Sequence, residues 1–369
     1  FNASGEDAPM HGLVEFRPTG QTQRQVEFVK PGAPGGAGVY GIAVDAHNTV
    51  ALDRLDAVKC RPSDKSYTVH IASRDAVWSY VDELPPLARF LMARHWPGPL
   101  TFVLDAPGGA TVGLRLPDDP IACRVIELAR VSVLAPSANP SGKSPATDAE
   151  GVLAYFQGQL DAVVDAGPSR LGTSSTVVRV KGLRRVRVMR KGPVTASELS
   201  AGAVHIVLIV CTGNMCRSPM AEAFFKMRLA RRLGVEIRHL EREGFFVLSA
   251  GTAASTGGPA SENAVAVMAE RGYDLSAHHA RHTSPVLLED SDMILVMTDY
   301  HEKYVKKHLP PKMRDKVHLL HPYGVEDPIG QGIDFYRRIA GKMEERIDHF
   351  VDLFLEGVVE ESRDKEARR

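Results

Sequence analysis

VHIVLIVCTGNMCRSP, residues 204–219, joins a run of β-branched residues and leucine to a short polar loop. Ile206 to Val210 has the composition of a strand buried on both faces, and Ser218 to about Leu233 has helical spacing, so the stretch is a strand, loop, helix unit. A loop that bends back before a helix turns several backbone N–H groups inward, and the helix N-terminus adds partial positive charge. Such a loop can encircle a phosphate dianion. Gly213 and Asn214 suit the left-handed backbone that the bend requires. Arg217 offers a two-pronged guanidinium to phosphoryl oxygens. Cys211 sits in the same positive field, which favours the thiolate, the nucleophilic form of the side chain. Thr212, Gly213, Asn214, Met215 and Cys216 complete the candidate phosphate-binding loop.

A thiolate can attack phosphorus in line, but the departing group needs a proton, which an Asp or Glu must supply. Asp327, followed by Pro328 in a loop after the last expected strand, is the candidate acid. Ser218 can donate a hydrogen bond to the sulfur when it is expelled, and water activated by the ionised Asp327 then hydrolyses the phosphocysteine. Cys211 and Cys216, five apart, are close enough in the loop for reversible oxidation to a disulfide.

Outward from this loop the second unit continues with helices from Glu262 and Tyr300, strands at Met293 to Met297 and Val317 to Leu320, and a terminal helix from Asp334 to about Leu355. Three or four parallel strands with helical crossovers place the first strand's C-terminal edge at a ligand crevice. The chain has 369 residues, which favours two domains, and 44% hydrophobic with 24% charged residues is an ordinary globular balance. We divide it at a linker, Gly192 to Gly202, into residues 1–200 and 204–356, with a charged tail at 357–369. Lys plus Arg and Asp plus Glu are each 45, so no global field draws the chain onto nucleic acid or anionic lipid, and anion sites must be local. Four cysteines are too few for a disulfide scaffold. No metal-spaced histidine cluster appears. The most apolar stretch, Val204 to Cys211, is far shorter than the roughly 20 residues that span a bilayer, and no leader pattern opens the sequence. The expectation is a cytoplasmic protein with no membrane partner.

In the first unit, strand and helix patterns alternate from Thr49 to Phe156, which calls for an α/β layer architecture. Val178 to Lys191 alternates apolar and basic residues around Gly182, a β-hairpin with seven Lys or Arg and no acid. Lys59, Arg61 and Lys65 gather three cations at a helix exit, where they could hold a polyphosphate and a carboxylate. Thr111 and Arg115 share one face of a strand, Ser137 to Asn139 form a polar turn after a buried strand, and Gly172 to Val177 form a Gly, Ser and Thr-rich loop. Arg190 closes the set. Any reaction here would rest on positioning and charge neutralisation rather than covalent chemistry.

Two resemblances gather these residues. From 205 to about 356 the chain resembles the low-molecular-weight protein tyrosine phosphatases through VLIVCTGNMCRSPMAEAFF, Ser249 to Thr252, SAHHAR at Ser276 to Arg281, and the Asp327-Pro328 pair. The resemblance implies a doubly wound four-stranded parallel sheet and makes Cys211, Arg217 and Asp327 nucleophile, phosphate clamp and general acid. His278 would support Asn214, and no cofactor is needed. The CTGN start and DPIG loop look more like the protein arginine phosphatases of that family, which usually carry Thr where Met215 stands. A phosphotyrosine or phosphoarginine protein is the expected substrate. From about Val39 to Thr195 the chain resembles the threonylcarbamoyl-AMP synthase family through VYGIAVDA, KCRPSDKSYTVHI, WPGPLTFVL, TVGLRLPDDP, APSANPSG, GTSSTVV and RVMRKG. This implies a mixed-sheet α/β domain that joins L-threonine, bicarbonate and ATP, accompanied by Mg²⁺, into the adenylate used for tRNA modification. ATP contacts are expected at Lys59, Arg61, Lys65, Thr111, Ser137, Asn139 and Arg190, and threonine contacts at His70, Arg115 and Thr176. Gly35 to Gly38 stand where that family has Pro-Thr-Glu-Thr, and Lys65 where it has Asn. The rival reading of this half is a non-catalytic module that binds nucleotide, tRNA or double-stranded RNA through the same cationic cleft.

Overall fold

The computed structural model describes residues 27–28, 39–60, 66–165, 167–200 and 204–367. Among these, one unit takes the residues up to Glu83, His95–Arg179 and Arg187–Ala196, and a second takes Leu84–Arg94, Val180–Val186 and the residues from Ser197 onward. In chain order the elements begin β1 (Glu27–Phe28), β2 (Val44–Asp45), α1 (Thr49–Lys59), β3 (Thr68–His70), α2 (Pro86–His95), β4 (Leu100–Asp105) and β5 (Thr111–Arg115). Then come α3 (Pro120–Ala129), β6 (Val133–Leu134), α4 (Ala149–Phe156), β7 (Val163–Val164), β8 (Thr176–Lys181), β9 (Arg185–Arg190) and α5 (Ala196–Ser200).

A seven-stranded sheet in the order β2-β6-β3-β5-β4-β8-β9 organises this part of the chain. It is mixed: β3 runs parallel to β5 and β4 parallel to β8, while β6 is antiparallel to β2 and β3, and β4 to β5. The helices start where side-chain oxygens satisfy their orphan N–H groups: Asn48 caps α1, Asp119 caps α3 and Asp148 caps α4.

The second unit holds β10 (His205–Cys211), α6 (Arg217–Leu233), β11 (Phe245–Gly251), α7 (Glu262–Ala269), α8 (Pro285–Asp290), β12 (Met293–Val296), α9 (Asp299–Lys307), β13 (Val317–Leu319) and α10 (Ile333–Ala367). Its sheet is four parallel strands in the order β11-β10-β12-β13. All seven residues of β10 are buried, as a central strand covered on both faces requires. Ile339, Met343, Ile347 and Val351 form one buried stripe along α10, packed in a core that also holds Met220, Phe224 and Leu229 of α6.

The α/β class and both sheet types are as the sequence led us to expect. Several details differ, and the short elements β2, β7 and α8 had no expected counterpart. β11 was not among the expected strands, because its run Phe245 to Leu248 is short and passes into small residues. Within the expected linker, Ala196–Ser200 is the helix α5. Residues 357–367 of the charged tail are helical, since α10 runs on to Ala367.

Candidate functional site

Cys211 ends β10 at the C-terminal edge of the parallel sheet, where a doubly wound fold has its crevice. The loop that follows turns at Asn214, with φ +54°, so that its backbone N–H donates to Cys211 Sγ at 3.2 Å. The Asn214 side chain spends both its N–H bonds, on Ser218 Oγ at 2.9 Å and Ser249 Oγ at 2.8 Å, and its Oδ1 accepts the Arg281 backbone N–H at 2.8 Å. Its carbonyl lies 2.7 Å from His278 Nε2; a carbonyl only accepts, so that ring nitrogen carries the hydrogen. Burial holds His278 below the usual imidazole range, against the pull of this carbonyl. Asn214 already fills an acceptor position of Ser218, whose Oγ lies 3.0 Å from Cys211 Sγ and can turn its hydrogen to the sulfur. A Cβ at Gly251 would stand 2.4 Å from the Thr212 carbonyl oxygen and 2.9 Å from the Asn214 nitrogen, so only glycine lets β11 pass this close beneath the loop.

Arg217 opens α6 and is 4% exposed. Its Nη1 donates to the Val325 carbonyl at 3.2 Å, its Nη2 to Thr212 Oγ1 at 3.2 Å, and the guanidinium is ion-paired with Asp327. The structure therefore brings Cys211, Asn214, Ser218 and His278 into one hydrogen-bonded set around the sulfur, and Thr212, Arg217 and Asp327 into a second set at the same loop. Cys216 is buried behind the loop, 3.2 Å from Ser261 Oγ and 3.3 Å from the Tyr336 hydroxyl, and both it and Cys211 are free thiols. Burial and then the bond to Cys216 push Tyr336 up to about 12. Met215 faces solvent at 36% exposure.

Sequence reasoning missed His301. This buried ring has Nε2 at 3.0 Å from Thr212 Oγ1 and Nδ1 at 2.7 Å from Thr298 Oγ1. Burial, then the Arg217 charge, hold it down at about 4, with Asp327 pulling the other way. The available signal was the Thr-x-x-His spacing at a helix start, which puts the two side chains within reach. Ser249 was quoted in its motif but given no role.

In the first unit a cavity of ≈ 560 Å³ is lined by His70, Arg115, Ser137, Ser175 and Arg190 among others. Arg190 donates to the Ser175 carbonyl from Nε at 3.1 Å and from Nη2 at 2.8 Å, and Ser175 Oγ lies 2.8 Å from Thr101 Oγ1. Burial pulls Arg190 below the usual guanidinium range. It does the same to Arg115, where Asp118 opposes the shift and Arg190 adds to it. His70 is lowered to about 3, by burial and then by Arg115. The Arg115 guanidinium is held where water is scarce, and an anion in the cavity would relieve that cost.

Four expected contact residues are not on this wall. Thr176 is buried, and its hydroxyl is spent on Val194, donating to the carbonyl at 2.8 Å and accepting from the N–H at 3.0 Å. Lys59 is 3% exposed and donates to the carbonyls of Ser137 and Asn139, propping the polar turn from behind. Asn139 closes that turn itself: Nδ2 donates to the Pro140 and Lys143 carbonyls at 2.9 and 2.7 Å, and Oδ1 accepts from Ser137 Oγ at 2.6 Å. Thr111 is exposed at the far end of β5, paired with Asp105. The contacts expected at Arg61 and Lys65 lie outside the described residues.

Residues 206–363 match the family model of the low-molecular-weight phosphotyrosine protein phosphatases, and residues 32–192 match the Sua5/YciO/YrdC model, described as telomere recombination. The protein-arginine-phosphatase of Bacillus subtilis is 37% identical over 145 residues, which is 38% of this chain and 89% of that protein. The threonylcarbamoyl-AMP synthase of Bacillus subtilis is 36% identical over 180 residues, 46% of this chain and 52% of its own. That of Pyrococcus abyssi is 39% identical over 149 residues, 38% of this chain and 44% of its own. The chain thus spans about half the length of these two synthases.

Proposed function

We propose, for a chain that belongs through residues 206–363 to the low-molecular-weight phosphotyrosine protein phosphatases and through residues 32–192 to the Sua5/YciO/YrdC family, that it removes phosphate from protein phosphoarginine or phosphotyrosine and also makes an adenylate of N-carbamoylated threonine. The observation that carries the phosphatase reading is the sulfur of Cys211 facing the Asn214 N–H and the Ser218 hydroxyl, in a loop whose Thr212 hydroxyl holds the Arg217 guanidinium.

In the first step the Cys211 thiolate attacks phosphorus, the bond to the leaving oxygen or guanidino nitrogen breaks, and Asp327 gives that atom its proton. Arg217 and the loop N–H groups neutralise charge gathered on the equatorial oxygens. Water then attacks the phosphocysteine and loses its proton to Asp327. The sulfur departs as thiolate, met by the Ser218 hydrogen. Ile329, Gly330 and Gln331 follow Asp327-Pro328, so no aromatic residue stands there to clasp a phenol ring. The experiment is turnover of phosphoarginine and phosphotyrosine peptides side by side, with Cys211→Ser as blank and Met215→Thr as probe; no turnover of either by the unaltered chain refutes the reading.

The cavity that gathers Arg115, Arg190, His70 and Ser137 supports the second activity, with ATP phosphates on the guanidiniums and threonine beside them. Mg²⁺ would arrive on the ATP phosphates, because the described residues contain no group of three or more His, Cys, Asp and Glu fit to cage a metal. Pyrophosphate release from ATP that requires both threonine and bicarbonate tests it. A second reading has a specific observation behind it: Arg185, Arg187 and Arg190 stand on β9, nearly all of which is exposed. RNA binding with a steep salt slope and no pyrophosphate release would favour a binding module. None of the described helices is long and apolar enough to cross a membrane.

A further inference from the structure

We infer that His301 is a positioning residue of the phosphatase site, fixing the Thr212 hydroxyl and, through it, the Arg217 guanidinium that grips the phosphoryl group. The inference rests on the reading of Arg217 as phosphate clamp.

Three contacts carry it. Arg217 is only ever a donor, so Thr212 Oγ1, 3.2 Å from Nη2, must accept from it. Thr212 is left with one hydrogen and a second lone pair, and its other partner is His301 Nε2 at 3.0 Å. On the far side of the ring, Nδ1 lies 2.7 Å from Thr298 Oγ1. Thr298 precedes α9, and its side chain makes no capping bond to the helix, so its oxygen is available to the ring.

A neutral ring carries one hydrogen, and the two placements differ. With the hydrogen on Nε2, the ring donates to Thr212, and the Thr212 hydroxyl hydrogen is without a hydrogen-bond acceptor among the described residues. With the hydrogen on Nδ1, Thr212 donates to Nε2 and Nδ1 donates to Thr298, so the hydroxyl hydrogen left without an acceptor among the described residues is that of half-buried Thr298 and not that of the hydroxyl bonded to Arg217. The second placement runs all three bonds one way, from Arg217 through Thr212 and His301 to Thr298, so each strengthens the next. The rigid start of α9 thereby sets where a lone pair of Thr212 points, and that lone pair sets where the guanidinium rests.

The ring must stay uncharged for this. An imidazolium has no acceptor nitrogen, and it would turn a like charge toward Arg217. Burial and Arg217 keep the ring down at about 4, and Asp327 is the opposing group. Ser218, Asn214 and His278 belong to the sulfur's side of the loop and share no contact with this chain of bonds.

The test measures the dissociation constant of inorganic phosphate by calorimetry on the full chain, in a Cys211→Ser background, for His301→Ala, Thr212→Val, the double variant and His301→Gln. Turnover of phosphopeptide is measured in parallel on the same substitutions with Cys211 in place. We expect each single variant to weaken phosphate binding about tenfold, the worth of one hydrogen bond to a charged group. The double variant should be no weaker than either single one, because both remove the same chain of bonds. His301→Gln, whose amide oxygen can accept the Thr212 hydrogen, should recover most of the loss. Unchanged phosphate binding in Thr212→Val, or losses that multiply in the double variant, would overturn the inference. If His301→Ala does not fold by circular dichroism, Thr212→Val and His301→Gln decide. The readout is binding, so an unaltered chain that binds phosphate but turns over no phosphopeptide refutes the phosphatase reading and leaves this one to be judged on its own result.

Discussion

The two candidate sites are built in opposite ways. In the second unit, five of the nine residues from Cys211 to Pro219, namely Cys211, Thr212, Asn214, Arg217 and Ser218, make up the candidate site, and distant elements add Asp327, His278, His301 and Ser249. In the first unit the cavity takes its charged wall from β3, β5 and β9, and three residues picked out by local motif serve the scaffold instead. Covalent catalysis needs a nucleophile and its field within one loop, because N–H groups aim at a common point only when neighbours in the chain turn together. A site that works by positioning can draw one side chain from each of many strands, and no single stretch announces it.

The contrast breaks first at Cys211. Cys211→Ser should lower phosphatase turnover about 10⁴-fold or more while leaving the first unit's reaction untouched, since no second nucleophile can substitute for it. Retained dephosphorylation would show that the loop is not the engine. Next, Asp327→Asn should cost about 10²- to 10³-fold in kcat on phosphopeptides, the usual worth of a general acid. A leaving group that needs no proton should restore most of it, as a comparison of kcat on peptide and on an aryl phosphate with an acidic phenol will read.

For the first unit the expectation is a graded loss. Arg115→Ala should raise the KM for threonine or ATP about 10- to 100-fold, as expected when a charged, desolvated contact is removed. Thr176→Val should leave both KM values alone and instead destabilise the unit by about 1–3 kcal/mol, because it leaves the Val194 groups unpaired. Urea unfolding followed by the fluorescence of buried Trp96 reads that change. If Thr176→Val raises KM without loss of stability, the residue belongs to the wall after all.

The last effect concerns pH. His301 sits at about 4 in the folded chain against roughly 6.5 for a free imidazole. Below pH 6.5 the unfolded chain takes up a proton that the folded one refuses, so this residue lowers the second unit's stability progressively from pH 6.5 down to about 4. It contributes nothing above that window. His301→Gln should flatten this part of the profile, measured by hydrogen exchange of the β10 amides.

Much of the second unit was legible because local sequence and global fold agree there. The apolar run at Ile206 to Val210 could only be a central strand, and Gly213 with Asn214 marked the turn. What escaped was long-range: His301 lies 89 residues from Thr212, and nothing at Tyr300 to Glu302 hints at a partner in the loop. In the first unit the expected hairpin at Val178 to Lys191 is β8 and β9, while the two-residue strands β2 and β7 carried no readable pattern. The site was not legible, because a polar side chain next to a buried strand reads alike whether it faces a cavity or, as with Lys59 and Asn139, ties down the neighbouring turn. Deciding between them requires knowing which carbonyls lie behind it, and those come from elsewhere in the chain.

The resting ion pair between Arg217 and Asp327 means that the phosphatase pocket already contains its own counter-ion. Entry of a phosphoryl group is then an exchange of one anion for another, and the carboxylate leaves the guanidinium only when a stronger anion takes its place. A phosphomonoester dianion can win that exchange, whereas a diester, with a single negative charge and greater bulk, competes on the same terms as the carboxylate it must evict. Selectivity for terminal phosphate would therefore be exerted at the threshold, before any bond to phosphorus is broken.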